Sequence, residues 1–164
     1  MYSQYKVSGY NITTDPNFQN DRLGYTDELR DQLDELYLES QNKKNKKIIN
    51  TLIRLTSKYP RSPQLKNFLS VAYSVQGNYQ KSIEVNNQIL AEHPDYLFAR
   101  LNLANKYIDE GQAEKITKVL GEAMEIKELY PERDLFHLSE VSSFYKLAIR
   151  YYASLKNLEI AEKN

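Results

Sequence analysis

A 34-residue period constrains this chain more than any other feature. Leu69 and Leu103, Tyr73 and Tyr107, Gly77 and Gly111, and Pro60 and Pro94 are each 34 positions apart in the 164 residues. A fixed period of that size marks copies of one supersecondary unit, stacked because no copy buries its apolar face alone.

Each unit reads as two helices. Ser62-Pro63 is a helix start: the serine oxygen accepts an orphan amide hydrogen, and proline at the first helical position loses no hydrogen bond. Leu65, Phe68, Leu69, Ala72 and Tyr73 follow at three- and four-residue steps, which is the apolar stripe of a helix. Gln76-Gly77-Asn78 breaks the run, with Gly77 suited to positive φ and Asn78 placed to cap the next helix. Tyr79, Ile83, Ile89 and Leu90 predict a second helix that stops before His93-Pro94. The following unit repeats this order through Leu97, Leu101, Ala104, Tyr107, Gly111, Ala113, Ile116, Leu120 and Ala123.

These residues resemble the tetratricopeptide repeat, in Leu103-Ala104 with Tyr107, Ile116, Leu120 and Ala123, and in Leu69-Ser70 with Tyr73, Gly77, Tyr79, Ser82 and Pro94. The resemblance implies an all-α fold, an α-solenoid of antiparallel helix pairs with three full repeats and a partial fourth. Their approximate bounds are 27–60, 62–94, 95–130 and 131–164, within a helical region of 26–164. Asn86 stands where a bulky residue is usual and predicts looser packing there, and Glu39 replaces the expected Tyr of the first unit. Pro131 lies 37 residues beyond Pro94, so the last unit is expected in a register shifted by about three residues.

Residues 1–25 are polar and Tyr-rich, with turn signals at Asp15-Pro16-Asn17 and Leu23-Gly24. The sequence leaves open whether this arm lies extended along the helices or is mobile. At the other end the last helix lacks a polar capping partner, so either the natural chain continues or that end pairs with another molecule, a homodimer included.

Composition narrows the function. The 22 basic and 22 acidic residues cancel, which argues against nucleic acid as a partner, and no stretch is apolar enough to span a membrane. With no cysteine and no signal-peptide core, the chain reads as a soluble cytoplasmic domain. Residues 1–82 carry 12 basic and 8 acidic side chains and residues 83–164 carry 10 and 14, a mild polarity of +4 and −4. The two histidines, His93 and His137, do not form a helical metal pair and are expected to pack or cap. No phosphate-binding glycine loop or nucleophile elbow is present, so neither an enzyme nor a cofactor or metal is expected. Lys43-Lys44-Asn45-Lys46-Lys47 is the one dense basic run, and its place in a turn between helices favours a structural role over contact with an anion. Most of the fourteen tyrosines, Tyr73, Tyr79, Tyr107 and Tyr152 among them, are expected in the core.

In tetratricopeptide arrays the first helices line a concave groove that holds a peptide or helix of a partner. Carried across, the resemblance implies groove positions at Tyr37, Asn67, Val71, Phe98, Asn102, Asn105, Lys146 and Arg150, with Leu33 among their neighbours. The asparagines offer donors and acceptors to a peptide backbone, and Lys146 with Arg150 would make one end cationic. The family's carboxylate clamp is not expected. Asn102 fits it, but Asn67 and Val71 stand where Lys and Asn are needed, and Ser143 and Leu147 where Lys and Arg are. The function expected is a protein-interaction adaptor without catalysis. The alternative is a structural or oligomerisation module working through its open end.

Overall fold

A computed structural model describes residues 4–7, 9–15, 24–122 and 124–162, with side chains for 9–15, 24–122 and 124–156. The protein is mostly helical. The elements run β1 (Gln4–Val7), β2 (Tyr10–Thr13), α1 (Asp27–Ser40), α2 (Ile48–Lys58), α3 (Pro63–Val75), α4 (Tyr79–Glu92) and α5 (Leu97–Asp109). A 3-10 turn at Ala113–Lys115 leads into α6 (Ile116–Leu120) and α7 (Ile126–Leu129), then β3 (Leu135–His137) and α8 (Leu138–Glu162). Two compact units result, one of Pro16–Ala99 and one of Met1–Asp15 with Arg100–Asn164, the division falling within α5.

In the Pro16–Ala99 unit, helix boundaries follow local chemistry. Thr26 caps α1 by accepting from the Leu29 amide, and Ser62 caps α3 by accepting from Leu65, with Pro63 in the first turn. At the end of α3 the Gly77 amide donates to Ser74 and the Asn78 amide to Tyr73, closing a left-handed glycine cap with Gly77 at φ +82°. Asn78 thus serves through its backbone, and its side chain does not cap α4. Helix α1 packs on α2 and α3, and α3 packs on α2 and α4. Leu29, Leu33, Leu36, Leu52, Leu65, Phe68 and Ala72 fill the space between them. Tyr25 leads into this core edge-on to Tyr59, and its hydroxyl bonds the Ser62 oxygen. Asn86 is buried and donates from Nδ2 to the Ala99 carbonyl at 3.2 Å, so a hydrogen bond fills the place where looser packing was expected.

The other unit holds most of α5, which starts and ends 34 residues after α3 (Leu97 against Pro63, Asp109 against Val75). The glycine cap recurs with it: Gly111 (φ +69°) donates to Ile108 and Gln112 to Tyr107. Beyond this point the repeat fails. The helix expected through Ala123 ends at Leu120, because Gly121 (φ 82°, ψ 158°) takes a conformation open almost only to glycine. Ala123 itself lies outside the described residues. Nor is 131–164 a helix pair. Leu135–His137 is a strand, and residues 138–162, which contain neither Gly nor Pro, run on as one 25-residue helix.

The cause is the N-terminal arm, which is partly a hairpin. β1 pairs antiparallel with β2, and β2 pairs parallel with β3, with Ile12 opposite Phe136 and Thr13 opposite His137. Strand pairing uses the backbone groups that a helix at 135–137 would need for itself. The arm's Pro16 and Asn17 lie outside the described residues. Phe136 is fully buried, edge-on to Tyr10, and α8 buries Phe144, Leu147, Ala148 and Tyr151 at helical spacing.

Candidate functional site

The eight expected groove positions divide between the units: Tyr37, Asn67, Val71 and Phe98 in one, Asn102, Asn105, Lys146 and Arg150 in the other. In the first unit the site grows from the packing of α1 on α3. Leu33 and Phe68 are core residues, so Leu33 is not a groove residue. One turn beyond Leu33, Tyr37 rests its ring 5.8 Å from that of Phe68 yet stays 45% exposed. The buried Phe68 thereby holds one face of the tyrosine while the rest meets water. Val71, one turn after Phe68 on α3, is half-buried. Asn67 is only 7% exposed, which makes Tyr37 and Val71 the accessible part of this face. Phe98 is half-buried in the first turn of α5, its ring 5.8 Å from that of Tyr96.

In the second unit Arg150 donates to Asn105 Oδ1 and, at 2.9 Å, to Asp109 Oδ1. The Asp109 carboxylate therefore offsets the guanidinium, and the cationic end expected from the sequence reduces to Lys146, exposed on α8. Asn102 is half-buried on α5. Leu147, a position where the carboxylate clamp needs a cation, is core.

The sequence carries no signal for the pairing of Asp109 with Arg150, because the two lie 41 residues apart, although Asp109 itself stays exposed. Sequence reasoning misplaced two tyrosines: Tyr79 and Tyr152, expected in the core, are 65% and 54% exposed, whereas Tyr73 is buried.

The remaining polar chemistry serves helix ends. His137 is the residue before α8, and its Nδ1 accepts from the Ser139 amide at 3.1 Å. An amide can only donate, so the ring hydrogen sits on Nε2 and the Ser139 hydroxyl, 2.7 Å away, also donates to Nδ1. Glu140 completes a reciprocal cap by accepting from the His137 amide while holding both Nη atoms of Arg133. Arg133 in turn lies over the Phe136 ring, 4.3 Å from its centre. His93 ends α4, its amide donating to Ile89. Lys66, buried on α3, bonds the Glu92 carboxylate. That bond, with a second from Gln88, holds the Glu92 carboxyl below its ordinary range. Burial pushes the Tyr25 hydroxyl up to about 12, against an opposing pull from its bond to Ser62. Burial and the Glu125 carboxylate, 2.7 Å away, likewise raise Tyr145. Among the described residues no three His, Asp or Glu side chains converge as metal ligands, and no helix is long and apolar enough to cross a membrane.

Comparison of the chain with protein-family models, curated proteins and solved structures finds no match. The class that can be stated is that of the fold, a mostly helical protein with one small sheet.

Proposed function

We propose that this chain is a protein-interaction adaptor of tetratricopeptide type, whose α1–α3 face takes a peptide or helix of a partner and performs no catalysis. The observation that carries the reading is Tyr37, an aromatic ring braced by Phe68 between the first helices of two successive helix pairs and left 45% open to water. A braced aromatic loses little conformational entropy when a partner covers it, which is why such residues anchor interfaces. Val71 extends the apolar surface along α3, and the 34-residue spacing of α3 and α5 supports the repeat reading.

Affinity capture with wild type, Tyr37→Ala/Val71→Glu and, as a control at an exposed apolar residue of α2, Ile53→Ser tests this. Partners held by wild type and by the control but lost from the double variant support the α1–α3 face. Identical captures from all three would overturn it.

A second reading, oligomerisation, has its own support. Ile149 and Tyr152 are 69% and 54% exposed three residues apart on α8, outside the stripe the helix buries. Sedimentation should then show a concentration-dependent dimer that Ile149→Asp abolishes.

A further inference from the structure

The loop between α1 and α2 carries Lys43, Lys44, Lys46 and Lys47, all exposed and none in an ion pair with any described residue. The loop is nevertheless held firmly. Asn42 Oδ1 accepts from the Lys44 amide at 3.0 Å and Asn45 Oδ1 from the Lys47 amide at 3.1 Å. Both asparagines donate from Nδ2 to Glu39 Oε2, Asn45 at 2.6 Å and Asn42 at 3.4 Å. Gln76, at the end of α3, donates to the Asn45 carbonyl at 3.0 Å. Glu39, the nearest carboxylate in sequence, is thus occupied by the asparagines.

These cations do not serve the fold. They lie past Gln41, the C-cap of α1, beyond the last turn in which a positive charge offsets a helix dipole. Lys46 and Lys47 instead adjoin the start of α2, whose first turn holds no acid and where positive charge is unfavourable. Four like charges on one hydrogen-bonded loop repel one another, and an anion bound from outside would relieve that repulsion.

We infer that this loop is a docking point for a short run of Asp and Glu residues in a partner protein. The surroundings decide the length of the anion. Helix α1 carries six carboxylates and one arginine, and without the four lysines the chain holds 18 basic against 22 acidic residues. A nucleic acid or an anionic membrane would extend from the loop onto the acids of α1, whereas a segment about as long as the loop meets the four lysines and, of those acids, only Glu39, already bonded by Asn42 and Asn45. This site goes beyond the α1–α3 face and stands whether or not that face binds.

The test is fluorescence anisotropy with labelled hexaglutamate at low ionic strength. Three proteins are compared: wild type, Lys43/Lys44/Lys46/Lys47→Gln, and Lys58/Lys81/Lys115/Lys118→Gln, which changes net charge equally. Affinity tenfold or more weaker in the loop variant alone, and falling with added salt, supports the docking point. A Lys43/Lys44→Gln variant, expected to lose part of the affinity, serves should the fourfold change perturb the loop. No binding, equal loss in both fourfold variants, or tighter binding of a single-stranded oligonucleotide or phosphatidylserine vesicles than of hexaglutamate overturns it.

Discussion

Replacing Gly77 tests the helix-pair geometry most directly. At φ +82° an added Cβ would meet no atom within 4 Å, so a side chain there brings no clash and only the backbone conformation is at issue. Left-handed backbone costs an L-residue about 1–2 kcal/mol. Gly→Ala also stiffens the unfolded chain, which returns about 0.4–1 kcal/mol. Gly77→Ala should therefore destabilise by about 1 kcal/mol, and with a urea m-value of about 2 kcal/mol/M the midpoint falls by about 0.5 M. Gly77→Asn should lose less than half of that, because asparagine tolerates the left-handed region, and Gly77→Val should lose more than alanine. The same ranking is expected at Gly111, where φ is +69° and the space is equally open. Urea denaturation followed by far-ultraviolet circular dichroism reads all of these. An alanine variant as stable as wild type, or alanine and asparagine indistinguishable, would refute the reasoning, since either result means that the position does not demand positive φ.

Three further outcomes follow from the polar contacts. Because the folded-state pKa of Glu92 is lowered, its bond to Lys66 contributes fully above the ordinary value of 4.5 and is lost as pH falls through the depressed one. Glu92→Gln should cost about 1 kcal/mol at neutral pH, the solvated carboxylate being weighed against a buried Lys66 left without its charged partner, and should flatten the acid-side decline that sets in below the ordinary carboxylate value in denaturant titrations. His137→Ala removes the α8 cap and should cost about 1 kcal/mol in the same assay, with His137→Asn restoring most of it because the amide oxygen also accepts from the Ser139 amide. Tyr25, raised to about 12, keeps its proton in the folded state, so its contribution is complete below pH 10 and lost between about pH 10 and 12. Tyr25→Phe should remove that alkaline decline, which ultraviolet absorbance of tyrosinate and circular dichroism together would follow.

The elements legible in the sequence are those set by neighbouring residues. Ser62-Pro63 and Gly77 act through atoms within five positions, so the bounds of α3 and the turn to α4 could be read in one pass. The same logic located α1, α2 and α5, because an apolar stripe at three- and four-residue steps buries the same face wherever it occurs. It worked in reverse at Asn86: a polar residue on an apolar face suggested a packing fault until the Ala99 carbonyl supplied its partner. Of the groove positions that the resemblance implied, Tyr37 is exposed and Val71 half-buried, while the burial of Asn67 and the pairing of Arg150 with Asp109 had no signal in the sequence.

The sequence by itself determined the helical class, the 34-residue spacing and the glycine turns, since each depends on short-range sterics and hydrogen bonding. Only the tertiary structure decided the rest. Whether Leu135–His137 would be strand or helix depended on Asn11, Ile12 and Thr13, more than 120 positions earlier, supplying a parallel partner. Whether Tyr79 would be core or surface depended on which side of α4 meets α3. Backbone groups left unpaired and apolar faces left uncovered are satisfied by whatever arrives in space, and a linear spacing carries no record of that arrival.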